Sequence, residues 1–526
     1  MEAGSPTRPW IVPLREAAAA RLEGIERFEL GLQGRALAAC AGLPSGYAKG
    51  RRRHYPLLIT LNLVELFGAA VEMSRLLAGS REVGRCVVVN VGGIRAGDLP
   101  QLAEVVARCR QRYRIDAREI AVVADGTMAH DLLAAFRRGI AGVTRCMLAS
   151  ARATMDAPPV PGAPLAWTVM EPLTGAELAR HDVRWHVAAE ASSASLALPA
   201  LLHGLRTFWS TGHDYGIEIM PLASPAVARI ACALAPVLRP LTRRRRFAPQ
   251  SGSRHVVRSR VMQRDFEIFI ALPPPAEEDP GRRYPAIVAL DANGGFATVS
   301  EIAARLARTG EIEPALVIGI GVPRAQGELE YGFRRFEEFS PPLPPQDDAG
   351  DGLARFFRAL FALRGEDARV QLGQAPGFHR FIVDELLPQL VPQLPLDTDA
   401  LMLLGHSAGG TFVGYALAQA DSPFTRYACL SPGVNVSGQW MLRRAAAPLP
   451  PQSSAARVYG SIGSAELDNR FNRLAGIPMT RAYIGALAEQ GAQHTQFHVL
   501  DGETHTSVYV RAVAHALRML LPRRAP

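Results

Sequence analysis

Short apolar runs alternate along this chain with segments long enough to form helices. The runs are apolar throughout and rich in β-branched residues, and clear examples lie at 286–290, 315–320 and 400–404. Such runs are typical of parallel strands that are buried on both faces of a sheet. The segments between them favour helices, and they include 299–309, 377–390 and 508–521. Strand and helix in alternation predict an α/β fold, with a mainly parallel sheet flanked by helices.

The chain contains an internal repeat. Residues 53–61 resemble residues 282–290 at an offset of 229, and farther along 122–126 resemble 403–407 at an offset of 281. The difference between the two offsets, 52 residues, places additional residues of the second copy within about 324–378. Self-similarity at a constant spacing over several strand-like runs predicts two copies of one domain.

These spacings divide the chain into two tandem domains. We predict a first domain over 1–238 and a second over 255–526, joined by a linker over 239–254 that is rich in Arg, Pro and Ser. Residues 256–272 alternate between apolar and polar positions, which predicts antiparallel strands at one edge of each sheet.

Composition and charge exclude several classes of protein. Of the 526 residues, 48% are hydrophobic and 20% charged, which suits a folded core. The formal net charge of +9 is carried almost entirely by arginine, and the arginine runs lack the interleaved aromatics of a nucleic-acid surface, so we predict no nucleic-acid partner. No apolar run reaches the roughly 18 residues of a membrane span, so no membrane association is expected.

The first 23 residues and the cysteines bear on location and metal binding. Residues 1–23 lack the basic, apolar and small-residue regions of a secretory signal, so we expect a cytoplasmic protein. The six cysteines form no CxxC pair, so neither a zinc site nor a disulfide framework is indicated. We predict neither a metal nor another cofactor.

Residues 405–409 read G-H-S-A-G, a G-x-S-x-G motif in the second copy. The motif follows the strand-like run 400–404 and opens a helix-like stretch over 410–419, as a nucleophile elbow requires. The turn forces its serine into strained dihedrals, and its glycines leave room for the neighbouring strand and helix. The context predicts Ser407 as a nucleophile.

A serine hydroxyl needs an adjacent base and a group that orients this base. His505 lies between a strand-like run and the last helix, where an α/β-hydrolase places its base, whereas His515 falls within the apolar periodicity of that helix. His494 and His498 are less well placed. For the acid we favour Glu466, then Asp468 and then Asp501, and a Ser-His dyad without an acid remains an alternative.

The oxyanion hole needs backbone N–H groups that point to the developing negative charge. One is expected from Ala408, which follows the nucleophile. The other is expected from the loop 291–295 after the first parallel strand, where Ala292 or Asn293 is favoured.

These motifs together resemble the esterase D-like α/β-hydrolases. The resemblance is carried by Tyr284-Pro285 before the run that ends at Leu290-Asp291, by the elbow 405–410, by Ser431-Pro432 and by the His505 loop, and it covers nearly all of 253–526. Within the family, the second copy is most similar to bacterial ferric-siderophore (trilactone) esterases. The resemblance implies two tandem α/β-hydrolase domains, the second a serine hydrolase that cleaves carboxylic esters through an acyl-enzyme. S-formylglutathione hydrolases, feruloyl esterases and mycolyltransferases share this scaffold, so the resemblance does not determine the acyl group of the substrate.

The additional segment of the second copy lies where a lid over the site would be built. It holds the arginines Arg334 and Arg335 and several aromatics, among them Tyr331, Phe333 and Phe339. Arginines with aromatics suit a catecholate or another anionic aromatic group, so we predict Arg334, Arg335 and His406 as substrate-binding residues. An amphipathic loop packed on the domain is the alternative.

The first copy lacks the catalytic residues. Gly126 stands at the position of the nucleophile, Asp125 at that of His406, and Ser193 at that of the base. We predict a catalytically dead hydrolase-like domain, kept for folding, for pseudo-dimer packing or for covering the active site. Asp125 and Asp131 are interpreted as capping acids at a helix N-terminus, and a new chemistry around Asp125, His130 and Asp131 is the alternative.

Three functions are compatible with this pattern. The first is a serine esterase acting on a small-molecule ester of the siderophore or aromatic type. The second is an acyltransferase or thioesterase of a biosynthetic pathway, which uses the same acyl-enzyme with a different acceptor. The third is a non-catalytic binding protein. The sequence leaves the oligomeric state open.

Overall fold

The computed structural model divides the chain into two compact units, one over Leu22–Asp214 and the other holding Tyr215–Pro526. The residues that the structure describes are 24–48, 53–149, 167–169, 183–185, 201–202, 204–206, 208–209, 252–273, 281–343, 361–362, 371–468, 476–492 and 494–523. Of the predicted linker, 239–251 lie outside the described residues. Its last two residues, Ser253 and Arg254, belong to a strand instead.

The first unit is built on an eight-stranded sheet of order β1-β2-β4-β3-β5-β6-β7-β8. The pairs β1–β2 and β2–β4 are antiparallel, and the remaining pairs are parallel. The strands are β1 (Ile25–Leu32), β2 (Arg35–Gly42), β3 (Tyr55–Leu61), β4 (Val87–Val91), β5 (Ile115–Asp125), β6 (Arg145–Ala149), β7 (Trp167–Val169) and β8 (Val183–Trp185). Its helices are α1 (Phe67–Gly79), α2 (Leu102–Arg112) and α3 (Gly126–Arg138).

The second unit has a sheet of the same design, of order β9-β10-β12-β11-β13-β14-β15-β16. The strands are β9 (Ser253–Arg258), β10 (Asp265–Ala271), β11 (Tyr284–Ala289), β12 (Leu316–Gly321), β13 (Leu396–His406), β14 (Arg426–Leu430), β15 (Arg457–Gly463) and β16 (Thr495–Leu500). The helices are α4 (Ala292–Arg308), α5 (Gly327–Phe339), α6 (Ala375–Arg380), α7 (Leu387–Leu390), α8 (Ala408–Leu417), α9 (Val436–Ala445), α10 (Pro451–Ser454), α11 (Gly476–Glu489) and α12 (Val508–Leu520). A π-helical segment, Phe381–Leu386, joins α6 to α7.

The pairing registers of the two sheets keep the spacings found in the sequence. Leu57 pairs with Val87 in the first sheet, and the residues 229 positions later, Ala286 and Leu316, pair in the second. Likewise, β5 pairs with β6 in the register in which β13 pairs with β14, 281 residues later. The predicted fold, two tandem α/β domains with mainly parallel sheets and an antiparallel edge, is confirmed.

Both sheets carry the same irregularity at the start of their central strand. The register shifts between Tyr55 and Leu57 in the first sheet and between Tyr284 and Ala286 in the second. The residue at each shift is a proline, Pro56 or Pro285, which has no N–H to donate to the ladder.

Each unit buries its own apolar core around its sheet. The central strands β11 and β12 are buried along their whole length, as continuous apolar runs in a covered parallel sheet should be. Among the helices that the structure describes, none combines the length and the apolar character needed to cross a membrane.

The described part of the additional segment packs on the second unit. Phe339 of α5 lies with its ring centroid 5.4 Å from that of Phe378 and 6.0 Å from that of Phe412 in α8. Phe333 is 1% exposed and packs on Phe361. The rings of Phe333 and Phe339 face the core, as the amphipathic alternative predicts for this part of the segment. Residues 344–360 and 363–370 lie outside the described residues.

Candidate active site

Five polar residues of the second unit follow the carboxyl ends of neighbouring parallel strands. These are Asp291 after β11, Ser407 after β13, Ser431 after β14, Glu466 after β15 and His505 after β16. Carboxyl ends of parallel strands meet at one edge of a sheet, where open α/β folds bind their ligands. Three of the five, Ser407, Glu466 and His505, are the predicted nucleophile, acid and base.

Ser407 occupies a strained turn between β13 and α8. Its backbone has φ 59° and ψ −121°, and its N–H donates to the Leu430 carbonyl at 2.9 Å. A Cβ at Gly405 would lie 2.4 Å from the Gly409 carbonyl carbon, so strand and helix cross too closely there for any side chain. Backbone strain of this kind costs about 1–3 kcal/mol and persists where the surrounding contacts hold the residue in place.

His505 and Glu466 form a close pair. His505 Nδ1 lies 2.6 Å from Glu466 Oε2, with the side chains 14% and 2% exposed. The other carboxylate oxygen, Oε1, accepts hydrogen bonds from the Ser431 hydroxyl at 2.7 Å and from the Gly463 N–H at 2.9 Å. Of the acid candidates whose side chains the structure describes, Glu466 is therefore the one beside His505.

The other acid candidates have different surroundings. Asp501 is exposed and accepts a hydrogen bond from the Ser464 hydroxyl at 3.0 Å. The backbone of Asp468 ends the 3₁₀ turn Ser464–Asp468, while its side chain lies outside the described part of the chain.

Ser431 was not among the predicted site residues. It is 2% exposed, and its φ of 42° puts a non-glycine residue in the left-handed region. The sequence signal was its place directly after a strand that neighbours the elbow strand, which the family resemblance used without assigning a role.

His406 lies between the predicted base and the last helix. Its ring centroid is 4.8 Å from that of His505 and 5.4 Å from that of Tyr509. Burial, followed by the charges of His505 and Arg335, holds the pKa of His406 well below its ordinary value. Its Nε2 is shielded from solvent and has no hydrogen-bond partner among the described residues.

The loop after β11 carries the predicted oxyanion donors Ala292 and Asn293. Asp291 holds the N-cap position of α4 with φ 55° and ψ 37° and makes no side-chain capping hydrogen bond, and Ala292 is the first residue of that helix. Ala408 is likewise the first residue of α8. The first N–H groups of a helix have no partner within it and point outward, so both helix starts can offer donors to an anion.

The predicted substrate-binding arginines have different surroundings. Arg335 donates from Nε and Nη2 to the two carboxylate oxygens of Asp291, at 3.0 and 2.8 Å. Arg334 is 2% exposed, and it donates to Glu338 at 2.7 Å and to the Asp265 carbonyl at 2.8 Å. A guanidinium enclosed in this way is out of reach of a ligand, so the structure does not support substrate binding by Arg334.

The competing histidines have other surroundings. His515 sits within α12, and its ring packs edge-on against His498 at 5.3 Å between centroids. Burial is the main cause that lowers the pKa of His515 to about 4. His494 lies in the turn before β16 with φ 54°.

In the first unit, the residue at the position of Ser407 is Gly126, which begins α3, whereas Ser407 precedes α8. Asp125, at the position of His406, ends β5 with φ −121° and ψ 168°, which is ordinary extended backbone. Asp125 holds the N-cap position as predicted, but its side chain makes no capping hydrogen bond. Ser193 and the side chain of His130 lie outside the described residues.

Comparison with known proteins links the second unit to esterases. The family described as "Putative esterase" matches residues 363–518. Ferri-bacillibactin esterase BesA of Bacillus subtilis (strain 168) is 27% identical over 280 residues, which is 51% of this chain and 89% of that protein.

Solved structures of lower sequence identity match a similar share of this chain. The BES protein from Bacillus cereus is 21% identical, covers 53% of this chain and 97% of its own, and has a TM-score of 0.42. Siderophore hydrolase EstB from Aspergillus nidulans is 18% identical, covers 52% and 95% respectively, and has a TM-score of 0.40. The resemblance to ester-hydrolysing enzymes that the motifs predict is confirmed by the family match over residues 363–518.

Proposed function

We propose that the second unit is a serine hydrolase of carboxylic esters, with Ser407 as nucleophile, His505 as base and Glu466 as the acid that orients the base. The observation that carries the proposal is the 2.6 Å contact of His505 Nδ1 with Glu466, at the sheet edge where Ser407 adopts a left-handed backbone. A carboxylate at Nδ1 selects the tautomer whose Nε2 lone pair accepts a proton.

In the proposed reaction, the Ser407 hydroxyl attacks the ester carbonyl while Nε2 of His505 takes its proton. The negative charge that develops on the carbonyl oxygen is stabilised by the N–H of Ala408 and by that of Ala292 or Asn293. The imidazolium then protonates the departing alcohol, which leaves an acyl-enzyme. Water, deprotonated by His505, attacks this acyl-enzyme, and the imidazolium returns the proton to Ser407 Oγ as the acid is released.

For the substrate we propose a siderophore-type or aromatic ester. The support is the similarity to the ferri-bacillibactin esterase. An acyltransferase or thioesterase would use the same acyl-enzyme, and the two reactions differ in the acceptor. We also propose that the first unit, with Gly126 at the nucleophile position, is a catalytically inactive copy.

Labelling with a fluorophosphonate tests the nucleophile. We expect the full chain to be modified at Ser407, with labelling lost in Ser407→Ala and strongly slowed in His505→Ala. The modified peptide should come from the second unit alone. No label on well-folded protein would overturn the serine-hydrolase proposal.

Product analysis separates the two reactions. With an aryl ester alone, we expect stoichiometric release of acid and alcohol. If added alcohols or amines take most of the acyl group at low concentration, the protein is an acyltransferase instead.

A further inference from the structure

We infer that Arg335 and Tyr331 are positioning residues that fix the oxyanion loop of the second unit. They act on Asp291, the residue directly before Ala292 and Asn293. The inference rests on the proposed function, because it assigns a role in stabilising the oxyanion of that same reaction. It also gives the additional segment of the second copy a purpose other than covering the site.

The contacts form a clamp on one carboxylate. Arg335 donates to Asp291 Oδ1 at 3.0 Å and to Oδ2 at 2.8 Å, and the Tyr331 hydroxyl donates to Oδ1 at 2.9 Å. The side chains of Arg335 and Asp291 are 14% and 16% exposed. A bidentate arginine–carboxylate pair fixes orientation as well as distance, so the clamp defines where the Asp291 backbone lies.

The clamped residue touches both parts of the proposed oxyanion hole. Its backbone is left-handed, with φ 55° and ψ 37°, and leads directly into the first N–H groups of α4. Its Oδ2 lies 3.3 Å from the position that a Cβ would take at Gly409, so the carboxylate also sits against the start of α8. A left-handed non-glycine residue is disfavoured by about 1–3 kcal/mol, so its geometry depends on the contacts that hold it.

A second anchor holds the loop from the other side. The Asn293 side chain donates to the Val322 carbonyl and accepts from the Val322 N–H, both at 2.7 Å. The loop is thus attached to the end of β12 through Asn293 and to α5 through Asp291. The Asp291 carbonyl also accepts a hydrogen bond from the Gly294 N–H at 3.1 Å, so loss of the α5 attachment would shift the first peptide of the loop rather than release it.

The inactive copy shows what the loop does without the clamp. Asn62, which precedes Asp291 by 229 residues, keeps the left-handed backbone with φ 56°. Its own amide donates to the Ile94 carbonyl at 2.8 Å and accepts from the Ile94 N–H at 3.0 Å. The left-handed loop is therefore common to both copies, whereas the arginine clamp comes from α5, within the segment that the first copy lacks.

Steady-state kinetics of Arg335→Met, Tyr331→Phe and Asp291→Asn test the clamp. We expect kcat to fall by about 10- to 100-fold in Arg335→Met and by about 3- to 10-fold in Tyr331→Phe, since removing an oxyanion donor outright costs about 100- to 1,000-fold. KM should stay within about threefold for a neutral and for an anionic aryl ester, because the interaction develops only in the transition state.

The inhibition constant of a trifluoromethyl ketone separates oxyanion stabilisation from a purely structural role. A purely structural role of the clamp would leave this constant unchanged. The Ser407 oxygen adds to the ketone carbonyl and forms a tetrahedral oxyanion. The inhibition constant of the ketone should therefore rise in parallel with the fall in kcat/KM across the three variants. The double variant Arg335→Met/Asp291→Asn should lose little more than either single one, because both break the same contact. Arg380→Met, which breaks an exposed pair with Asp384, is the matched control and should leave kcat unchanged.

The outcomes separate the clamp from the proposed function. If Ser407→Ala keeps wild-type turnover, the serine mechanism fails and the clamp with it. If Ser407→Ala is inactive while Arg335→Met and Tyr331→Phe keep wild-type kcat, only the clamp is wrong. A rise in KM confined to the anionic ester, at unchanged kcat, would make Arg335 a substrate-binding residue. Tyr331→Phe removes a single oxygen, so it keeps the test valid if Arg335→Met does not fold.

Discussion

The Ser431 hydroxyl donates a hydrogen bond of 2.7 Å to Oε1 of Glu466, while Oε2 of the same carboxylate lies 2.6 Å from His505 Nδ1. Ser431 is almost fully buried and holds a strained left-handed backbone, so its position is fixed. With Gly463 donating to the same Oε1, the carboxylate has one oxygen anchored and the other directed at the imidazole. Ser431 is thus placed to act on catalysis through Glu466.

Ser431→Ala is expected to lower kcat by about 10-fold at unchanged KM. The loss arises because Glu466 keeps its Gly463 hydrogen bond but can rotate away from His505, which weakens the selection of the imidazole tautomer. Glu466→Gln should cost more, about 100- to 10,000-fold, since an amide at Nδ1 favours the wrong tautomer. The measurement is steady-state hydrolysis of an aryl ester.

The NMR resonance of the His505 Nδ1 proton reports on the contact between His505 and Glu466 without any measurement of turnover. The His505 Nδ1–H should give a far-downfield proton resonance in the wild type, shifted in Ser431→Ala and absent in Glu466→Gln. Ser454→Ala, which removes a surface hydroxyl bonded within its own turn, is the control. Equal kinetics and spectra for Ser431→Ala and Ser454→Ala would contradict the role of Ser431.

Gly405→Ala tests whether the elbow depends on close approach. The added Cβ would meet the Gly409 carbonyl carbon at 2.4 Å, and since that atom is backbone, α8 must shift away from β13. We expect ester hydrolysis to fall by at least about 100-fold, because shifts near 1 Å at a reacting group have effects of this size.

The control for Gly405→Ala is the same substitution at a glycine within a helix. Gly485→Ala in α11 places its Cβ in open space and should stabilise the protein slightly, by up to about 1 kcal/mol. Wild-type activity in Gly405→Ala would show that the elbow tolerates a side chain there.

The repeat could be predicted from the sequence because identical spacing reflects identical strand pairing. Two offsets, 229 and 281, reappear in the register of both sheets, since a strand cannot slip by one residue without turning its apolar side chains outward. The placement of Ser407 and His505 could be predicted for a similar reason, because each follows the end of a strand with a recognisable local pattern.

The start of α4 shows where local pattern misleads. The helix was expected from 299 but begins at Ala292, because Gly294 and Gly295 resemble a loop. Gly295 instead permits close packing, as a Cβ there would lie 2.5 Å from the Tyr509 hydroxyl. The Asp291–Arg335 pair and the contact of Arg334 with the Asp265 carbonyl join residues distant in sequence, which no local pattern encodes.

Arg334→Met tests the structural role that replaces substrate binding. Among the described residues, the variant leaves the nearly buried Glu338 carboxylate with the Arg264 contact at 3.2 Å, and a buried ion pair broken on one side costs about 3–5 kcal/mol. We expect the melting temperature of the second unit to fall by about 6–12 °C, while KM for an anionic ester stays unchanged.

Arg258→Met is the matched control for Arg334→Met. It breaks the Asp265 ion pair, whose side chains are 59% and 42% exposed, and should cost well under about 1 kcal/mol. A raised KM without a lower melting temperature in Arg334→Met would restore Arg334 as a substrate-binding residue.

His515 should make the α12 region sensitive to acid. Burial lowers its pKa to about 4, with the charges of His498, Arg511 and Arg518 acting in the same direction, whereas in the unfolded chain the pKa is about 6.5. Between these values the unfolded state binds more protons than the folded state. The stabilisation is therefore complete above pH 6.5 and is lost as pH falls towards 4, by up to about 3 kcal/mol.

Hydrogen exchange in peptides from α12 and β16 measures this loss in the full chain. Below pH 6.5 the protection of wild-type peptides should decline relative to that of His515→Gln, which has no proton to gain, and the difference should level off near pH 4. Intrinsic exchange depends on pH equally in both proteins, so it cancels in the comparison. If both proteins lose protection in parallel, the acid sensitivity has another source, and the link between His515 protonation and helix opening is wrong.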